Sequence, residues 1–420
     1  MSLANDALAV LRGNDTGRYV KPSQRLYPWQ WNWDSAFVAI GLARVDPERA
    51  QTEVRSLLEG QWADGMVPHI VFHPQAVDYW PGPEVWGSKD CAGAPEVATS
   101  GLTQPPVIAT AVKAVHEAAA DTAFLEEVVP KLEAWHEWFH RERAHPERGL
   151  ITVLHGWESA DNAPRFDRAL ARIDPEGIAP IERTDTSQVA ADERPTDLDY
   201  RRYLALVRWL RERAYRPKPP SSAPFAYLDV PLNSILAVAE DDLADLQSEI
   251  GADGGRARSA AARLRDALDT MWDDEAGAYR ERDLHGEEAV TGTIADLFPL
   301  YAGVPDAWRA RRMVDEHLME PARFGPAPWG LTTVSRASAD FDPRNYWRGP
   351  VWINVNWIMI RGLERYGLED EAERLRRITL DLVSRSGFSE YYEPTTGEPL
   401  GSGEFSWSAS LTLDLLHDRR

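Results

Sequence analysis

Apolar residues recur at helical spacing in stretch after stretch of this chain, and that pattern points to a helical architecture. AFVAIGLARVDPERAQTEVRSLLEGQ reads as two helices split at Asp46-Pro47, since proline suits a first helical turn. Pro105-Pro106 opens VIATAVKAVHEAA. FLEEVVPKLEAWHEWFHRER, DLDYRRYLALVRWLRERAY, VPLNSILAVAEDDLADLQSEI, ARSAAARLRDALDTMW, VWINVNWIMIRGLERYG and LEDEAERLRRITLDLVSRS continue the pattern. Strand-like alternation is confined to short pieces such as LITVL.

A weak internal repeat organises these helices. HPERGLI, DDEAGAY and EPTTGEP each place an acidic or proline-containing turn and a glycine after a helix. The intervals leave room for two helix pairs each. Such units repeated around a circle give an (α/α)6 toroid, six inner helices inside six outer ones, with inter-helix loops forming a funnel. An open α-solenoid would need shorter repeats than these. No Gly/Ser-rich linker divides the chain, so residues 1–420 are expected to form one catalytic domain. Two stretches are irregular: residues 173–197 contain three prolines and much polarity, and residues 215–224 cannot be helical. Long loops in compact domains are often lids, and the first is expected to cover the funnel.

Charge and cysteine usage then exclude function classes. A net charge of −21 and no basic stripe disfavour nucleic acid as a partner. Cys91 is the sole cysteine, so neither an intrachain disulfide nor a cysteine-rich metal site can form. No apolar run reaches membrane-spanning length, and the N-terminal residues lack the basic and apolar regions of a secretory signal. The expectation is a cytoplasmic protein with no membrane partner and no cofactor. Nothing in the sequence decides whether it forms a homo-oligomer.

Seventeen tryptophans exceed what packing requires. They cluster with polar residues in YPWQWNWDSAF, QWADGMVPHIVF, DYWPGPEVWG, HGWESADNAP, APWGL, NYWRGPVW and GEFSWSA. Several of these blocks directly precede a helix, where a toroid has its funnel floor. Aromatic faces interleaved with Asp, Glu, Gln and Arg describe a carbohydrate pocket. Glycosidic hydrolysis needs two carboxyl groups, one protonated and one ionised. Asp34, Glu158, Asp161 and Glu404 are the acids embedded in these blocks, whereas AEDDLADLQSE reads as a solvated helix face. Any one of the four could instead serve as a cap or ion-pair partner, and Asp34 could cap a helix beginning at Ser35.

YPWQWNWDSAF, TSGLTQPP, WESADNAP, RPTDLDYRRY, NYWRGPVWINVNW and GEFSWSA together resemble glycoside hydrolase family 63, specifically its small bacterial hydrolases of mannosylglycerate and glucosylglycerate. The likeness runs from Tyr27 to Trp407. It implies an (α/α)6 barrel, an inverting mechanism and a small glycosylglycerate substrate. By position, the aspartate of WESADN becomes the general acid, Asp161, and the glutamate of GEFSW the general base, Glu404. The family pattern WESGxDN is one residue longer, so Glu158 stays open as the alternative acid. The resemblance also implies that Tyr27, Trp31, Asp34, Gln104, Trp157, Trp347 and Trp352 surround the sugar, while Tyr79, Arg194, Tyr200 and Tyr346 hold the glycerate. An arginine suits a substrate carboxylate, which a neutral oligosaccharide lacks. The competing functions are an oligosaccharide α-glucosidase, a sugar epimerase using His69, His73 or His155, and a non-catalytic sugar-binding protein.

Overall fold

The computed structural model describes residues 2–74, 79–181, 183, 185–286, 292–326 and 328–417. Asp78 and Ala327, the first residues of two tryptophan blocks, lie outside these residues, as do Glu182 and Thr184 of the irregular stretch. In chain order the helices that build the molecule are α1 (Leu3–Asn14), α2 (Asn32–Ala43), α3 (Pro47–Leu58), α4 (Ile108–Ala118), α5 (Thr122–Trp138), α6 (Asp197–Arg211), α7 (Val230–Glu249), α8 (Gly255–Asp269), α9 (Pro299–Ala302), α10 (Ala307–Met313), α11 (Ile353–Arg365), α12 (Glu369–Ser386) and α13 (Ser406–His417). Among the described residues none is long and apolar enough to cross a membrane.

Local chemistry sets the helix starts. The Asp46 side chain accepts from the Arg49 N–H with Pro47 in the first turn, and Asp121 does the same for Phe124. Thr196 and Asp199 form a reciprocal capping box that opens α6. Asp34, in contrast, caps nothing: α2 begins at Asn32, so Asp34 sits inside its first turn.

Contacts between helices close a ring. α2 packs on α4, α4 on α7, α7 on α9, α9 on α11, α11 on α13, and α13 returns to α2. Outside it, α3 covers α2, α5 lies against α4 and α7, α8 covers α7, α12 covers α11, and α1 covers α13, while α10 follows α9 in the chain. This is the (α/α)6 toroid. Inner helices are wrapped on nearly all sides, which explains why α2 is buried along its length except at Trp33. Outer helices bury one stripe; α12 hides Leu375, Thr379, Leu382 and Val383 and exposes its charged face.

That wrapping corrects one expectation. AEDDLADLQSE is a solvated face only in part, because α7 is an inner helix: Asp245, Ser248 and Glu249 are exposed, but two of its acids are not. Glu240 is fully buried between His136 and His140, and Asp242 is buried beside Lys113 and Thr110.

The internal repeat corresponds to three antiparallel turns, each following an outer helix. Ala144 pairs with Ile151, Trp272–Asp273 with Ala278–Tyr279, and Ser389–Tyr392 with Pro399–Gly403. The glycine of each, Gly149, Gly277 and Gly397, has φ between 65° and 72°, a left-handed geometry that favours glycine. LITVL supplies only the two-residue strand Thr152–Val153.

Candidate active site

Four of the six inner helices, α2, α4, α11 and α13, present their N-terminal ends to one cavity of about 940 Å³, counted with its open mouth. Trp33 and Asp34 come from the first turn of α2, Trp407 from that of α13, and Gln104 and Trp347 from the segments leading into α4 and α11. The floor is aromatic. Trp33 packs against Trp347 at 6.0 Å and edge-on against Trp407 at 5.5 Å between ring centroids. Tyr27, Trp31, Tyr79, Trp157, Tyr200 and Tyr346 complete the wall, together with Trp80, Trp86 and Phe405. Every residue expected around the substrate lines this cavity except Trp352. That ring is buried behind the floor, stacked on Trp347 at 3.8 Å with planes 2° apart, and it backs the wall rather than forming it.

The two acids of WESADN part company. Glu158 is buried away from the cavity, held by both arms of Arg143 at 2.8 and 2.9 Å and by the Leu154 N–H at 2.8 Å. Asp161 faces the cavity. Its turn doubles back tightly: a Cβ on Gly156 would lie 3.0 Å from the Asp161 carbonyl oxygen. Asn162 fixes the turn by accepting from the Trp347 N–H at 3.0 Å and donating to Asn345. Asp167 takes two hydrogen bonds from Arg348 at the protein surface. Burial pushes the Asp161 carboxyl up to about 7, despite the opposing charge of Arg194. Asp34 is raised well above the carboxylate range, by burial first and by nearby Glu390 second.

Glu404 does not face Asp161. It is exposed, its φ is 50°, and it borders a separate surface cleft with residues of α1 and α12. Asn14 holds its carbonyl at 2.7 Å, so the left-handed backbone turns the side chain outward while Phe405 and Trp407 turn in. The glutamate in the cavity is Glu390, on the strand Ser389–Tyr392. Its carboxylate accepts from the Tyr27 hydroxyl at 2.7 Å, from Arg194 at 3.3 Å and from the Ser402 N–H at 3.0 Å.

Arg194 is neither at the surface nor paired with Asp197 or Asp199. It is 5% exposed, reaches Tyr27, Glu390 and Asp185, and stacks over the Tyr346 ring at 4.3 Å. Asp185, from the irregular stretch, also takes the Tyr200 hydroxyl at 3.2 Å. Of the three histidines, only His69 lines the cavity, and burial pushes it down to about 3. His155 is locked between the Tyr203 carbonyl and the Trp157 N–H, and His73 stacks on Tyr19. Among the described residues no histidine pair flanks the cavity.

Sequence reading missed Glu390, Asp185, Trp33, Trp80, Trp86, Phe405 and Trp407 as cavity residues. All the aromatic ones stood inside blocks already singled out. Glu390 lay just before the EPTTGEP turn, and an acid in the short run Phe388–Tyr392 that enters the hairpin was the available signal.

A family model, the mannosylglycerate hydrolase MGH1-like glycoside hydrolase domain, matches residues 27–408. The chain belongs to this glycoside hydrolase family. Mannosylglycerate hydrolase from Thermus thermophilus is 42% identical over 97% of this chain and 99% of its own length. Glucosylglycerate hydrolase from Mycolicibacterium hassiacum is 40% identical over 99% of this chain and 97% of its own. The crystal structure of a family 63 mannosylglycerate hydrolase from a second strain of Thermus thermophilus, in complex with Tris and D-glycerate, superposes with a TM-score of 0.91 at 41% identity, covering 99% of this chain and all of that one. Yeast neutral trehalase Nth1, at 17% identity and a TM-score of 0.59, shares the fold alone. This member of the family is therefore an O-glycosyl hydrolase on an (α/α)6 toroid.

Proposed function

We propose that residues 1–420 act as one catalytic domain that hydrolyses 2-O-α-mannosylglycerate, glucosylglycerate or both to hexose and glycerate with inversion. The observation that carries this reading is the pairing of an aromatic floor with a buried guanidinium. The hexose lies on Trp33, Trp347 and Trp407, with Asp34 and Gln104 reading its hydroxyls. The glycerate carboxylate turns toward Arg194, among Tyr79, Tyr200 and Tyr346. The relatives named for these two conjugates, and the Thermus complex with D-glycerate, support the substrate class.

Asp161 is the general acid. A carboxyl titrating near 7 keeps its proton at neutral pH and can pass it to the glycosidic oxygen as the bond to the anomeric carbon breaks. Glu390, with its acceptor-only contacts to Tyr27, Arg194 and the Ser402 N–H, takes a proton from the attacking water. The water enters from the face opposite the leaving glycerate, and an α-glycoside yields a β-hexose first. The aromatic wall excludes other water and strengthens both proton transfers. We place the reaction in the cytoplasm, a setting that suits a chain with one cysteine.

Proton NMR of the first-formed sugar tests this reading. Immediate β-hexose from either conjugate supports it, and initial α-hexose means retention. Release of hexose from neutral disaccharides in preference to the glycerate conjugates would instead make the protein an oligosaccharide glucosidase.

A further inference from the structure

The cavity's charge is already balanced before any anion enters it. Four acids line it: Asp34, Asp161, Asp185 and Glu390. Burial holds Asp34 and Asp161 toward their neutral forms. Glu390 and Asp185 then stand as two carboxylates against two guanidiniums, Arg194 inside and Arg183 behind Asp185. A substrate carboxylate added to that set leaves one uncompensated negative charge in a dry site, which is costly.

Asp185 occupies the position such a carboxylate would need. It accepts from Arg183 through both oxygens, at 3.0 and 2.7 Å, and one of these oxygens also meets Arg194 Nε at 3.4 Å and the Tyr200 hydroxyl at 3.2 Å. Two arginines and a phenol converging on one carboxylate is anion-recognition geometry. Burial works against the charge on Asp185, but the Arg183 hydrogen bonds and the Arg194 charge hold it below the usual carboxylate range. The contact to Arg194 is the longest of the set. Arg183 is tied outward, to the Pro195 carbonyl and to exposed Asp197, so it offers Asp185 a partner on the solvent side.

We propose that Asp185 is an internal stand-in for the substrate's carboxylate, which the glycerate group displaces from Arg194 and Tyr200 when it binds. Asp185 thereby sets the selectivity of the clamp: an anion that can complete the pairing replaces it, and a neutral aglycone leaves Arg194 occupied. This rests on the glycerate reading of the site given above.

Calorimetric titration of D-glycerate into the intact protein and into Asp185→Asn tests the exchange. Removing the competing charge should tighten D-glycerate binding by about fivefold or more, a shift of about 1 kcal/mol. Unchanged or weaker binding by the variant, or none at all, overturns the proposal and leaves Asp185 as a prop for Arg194. A second measurement needs no variant. Titrating wild-type protein in buffers of different ionisation enthalpy counts the protons taken up with glycerate. At about pH 5.5, where Asp161 already holds its proton, displacement predicts close to none; proton uptake there means that a cavity carboxylate neutralises the anion instead, and overturns the proposal. Hexose release by the wild-type protein is measured alongside. If the conjugates are not hydrolysed, the glycerate reading fails; if they are, and Asp185→Asn binds no tighter, only the exchange fails.

Discussion

Asp161 and Glu158 are three residues apart and chemically alike, yet the structure gives them opposite surroundings. A bidentate arginine and a backbone N–H commit Glu158 to structure, while at Asp161 burial outweighs the opposing Arg194 charge and the Asn162 N–H. That difference has consequences for both rate and stability. In the free enzyme kcat/KM should fall as pH rises through about 7, as the acid loses its proton, and Asp161→Asn should lower kcat by at least about 10²-fold below that pH, where the wild-type acid is protonated. Stability carries the same signature. The folded pKa of Asp161 lies above its unfolded value near 3.9, so its contribution is complete below the unfolded value and is lost as pH rises to about 7. The Tm difference between Asp161→Asn and wild type should therefore grow in the variant's favour from pH 4 to pH 8. Calorimetric scans across that range check it, and a pH-independent difference contradicts the burial argument. At Arg194, truncating one partner of a buried charge pair costs about 2–5 kcal/mol. Arg194→Ala should weaken kcat/KM for the glycerate conjugates by about 30-fold or more, and a proportionate loss on an uncharged glycoside would return Arg194 to a structural role.

At the scale of elements, the hairpin Ser389–Gly403 decides which glutamate reaches the cavity. Its first strand points Glu390 into the cavity, and its second carries a register shift between Leu400 and Gly403 before the chain reaches Glu404 in a left-handed conformation. Asn14 of α1 fastens this exit, donating to the Glu404 carbonyl at 2.7 Å and the Ser406 hydroxyl at 2.8 Å. Asn14→Ala should cost about 1–3 kcal/mol, one buried and one part-buried hydrogen bond at about 0.5–1.5 each, measured by denaturant unfolding. A neutral result would mean that α1 packs on α13 without this anchor. The same hairpin explains where sequence reading stopped. The helices, the break at Asp46-Pro47 and the glycine turns were legible because each depends on neighbours within a few residues. The side of the molecule that Glu404 faces depends on a strand irregularity and on a helix about 390 positions earlier. Local pattern carries neither.

On the scale of the whole molecule, ring closure is what allows a dry, acidic site in a chain of net charge −21. Four of the six inner helices, α2, α4, α11 and α13, bring loop-to-helix junctions from Tyr27 to Trp407 onto one floor, so blocks far apart in sequence become neighbours. The clustering of tryptophan beside acids was readable as a pocket for that reason. Trp352 was the exception, because stacking behind Trp347 and facing the cavity look identical in a sequence. The charged run of α7 was another, since only ring closure distinguishes an inner helix from an outer one. Parallel kcat measurements of Glu390→Gln and Glu404→Gln on mannosylglycerate decide which glutamate acts opposite Asp161. Glu390→Gln is predicted to lose at least about 10²-fold while Glu404→Gln stays close to wild type; activity retained in Glu390→Gln and lost in Glu404→Gln would contradict the assignment.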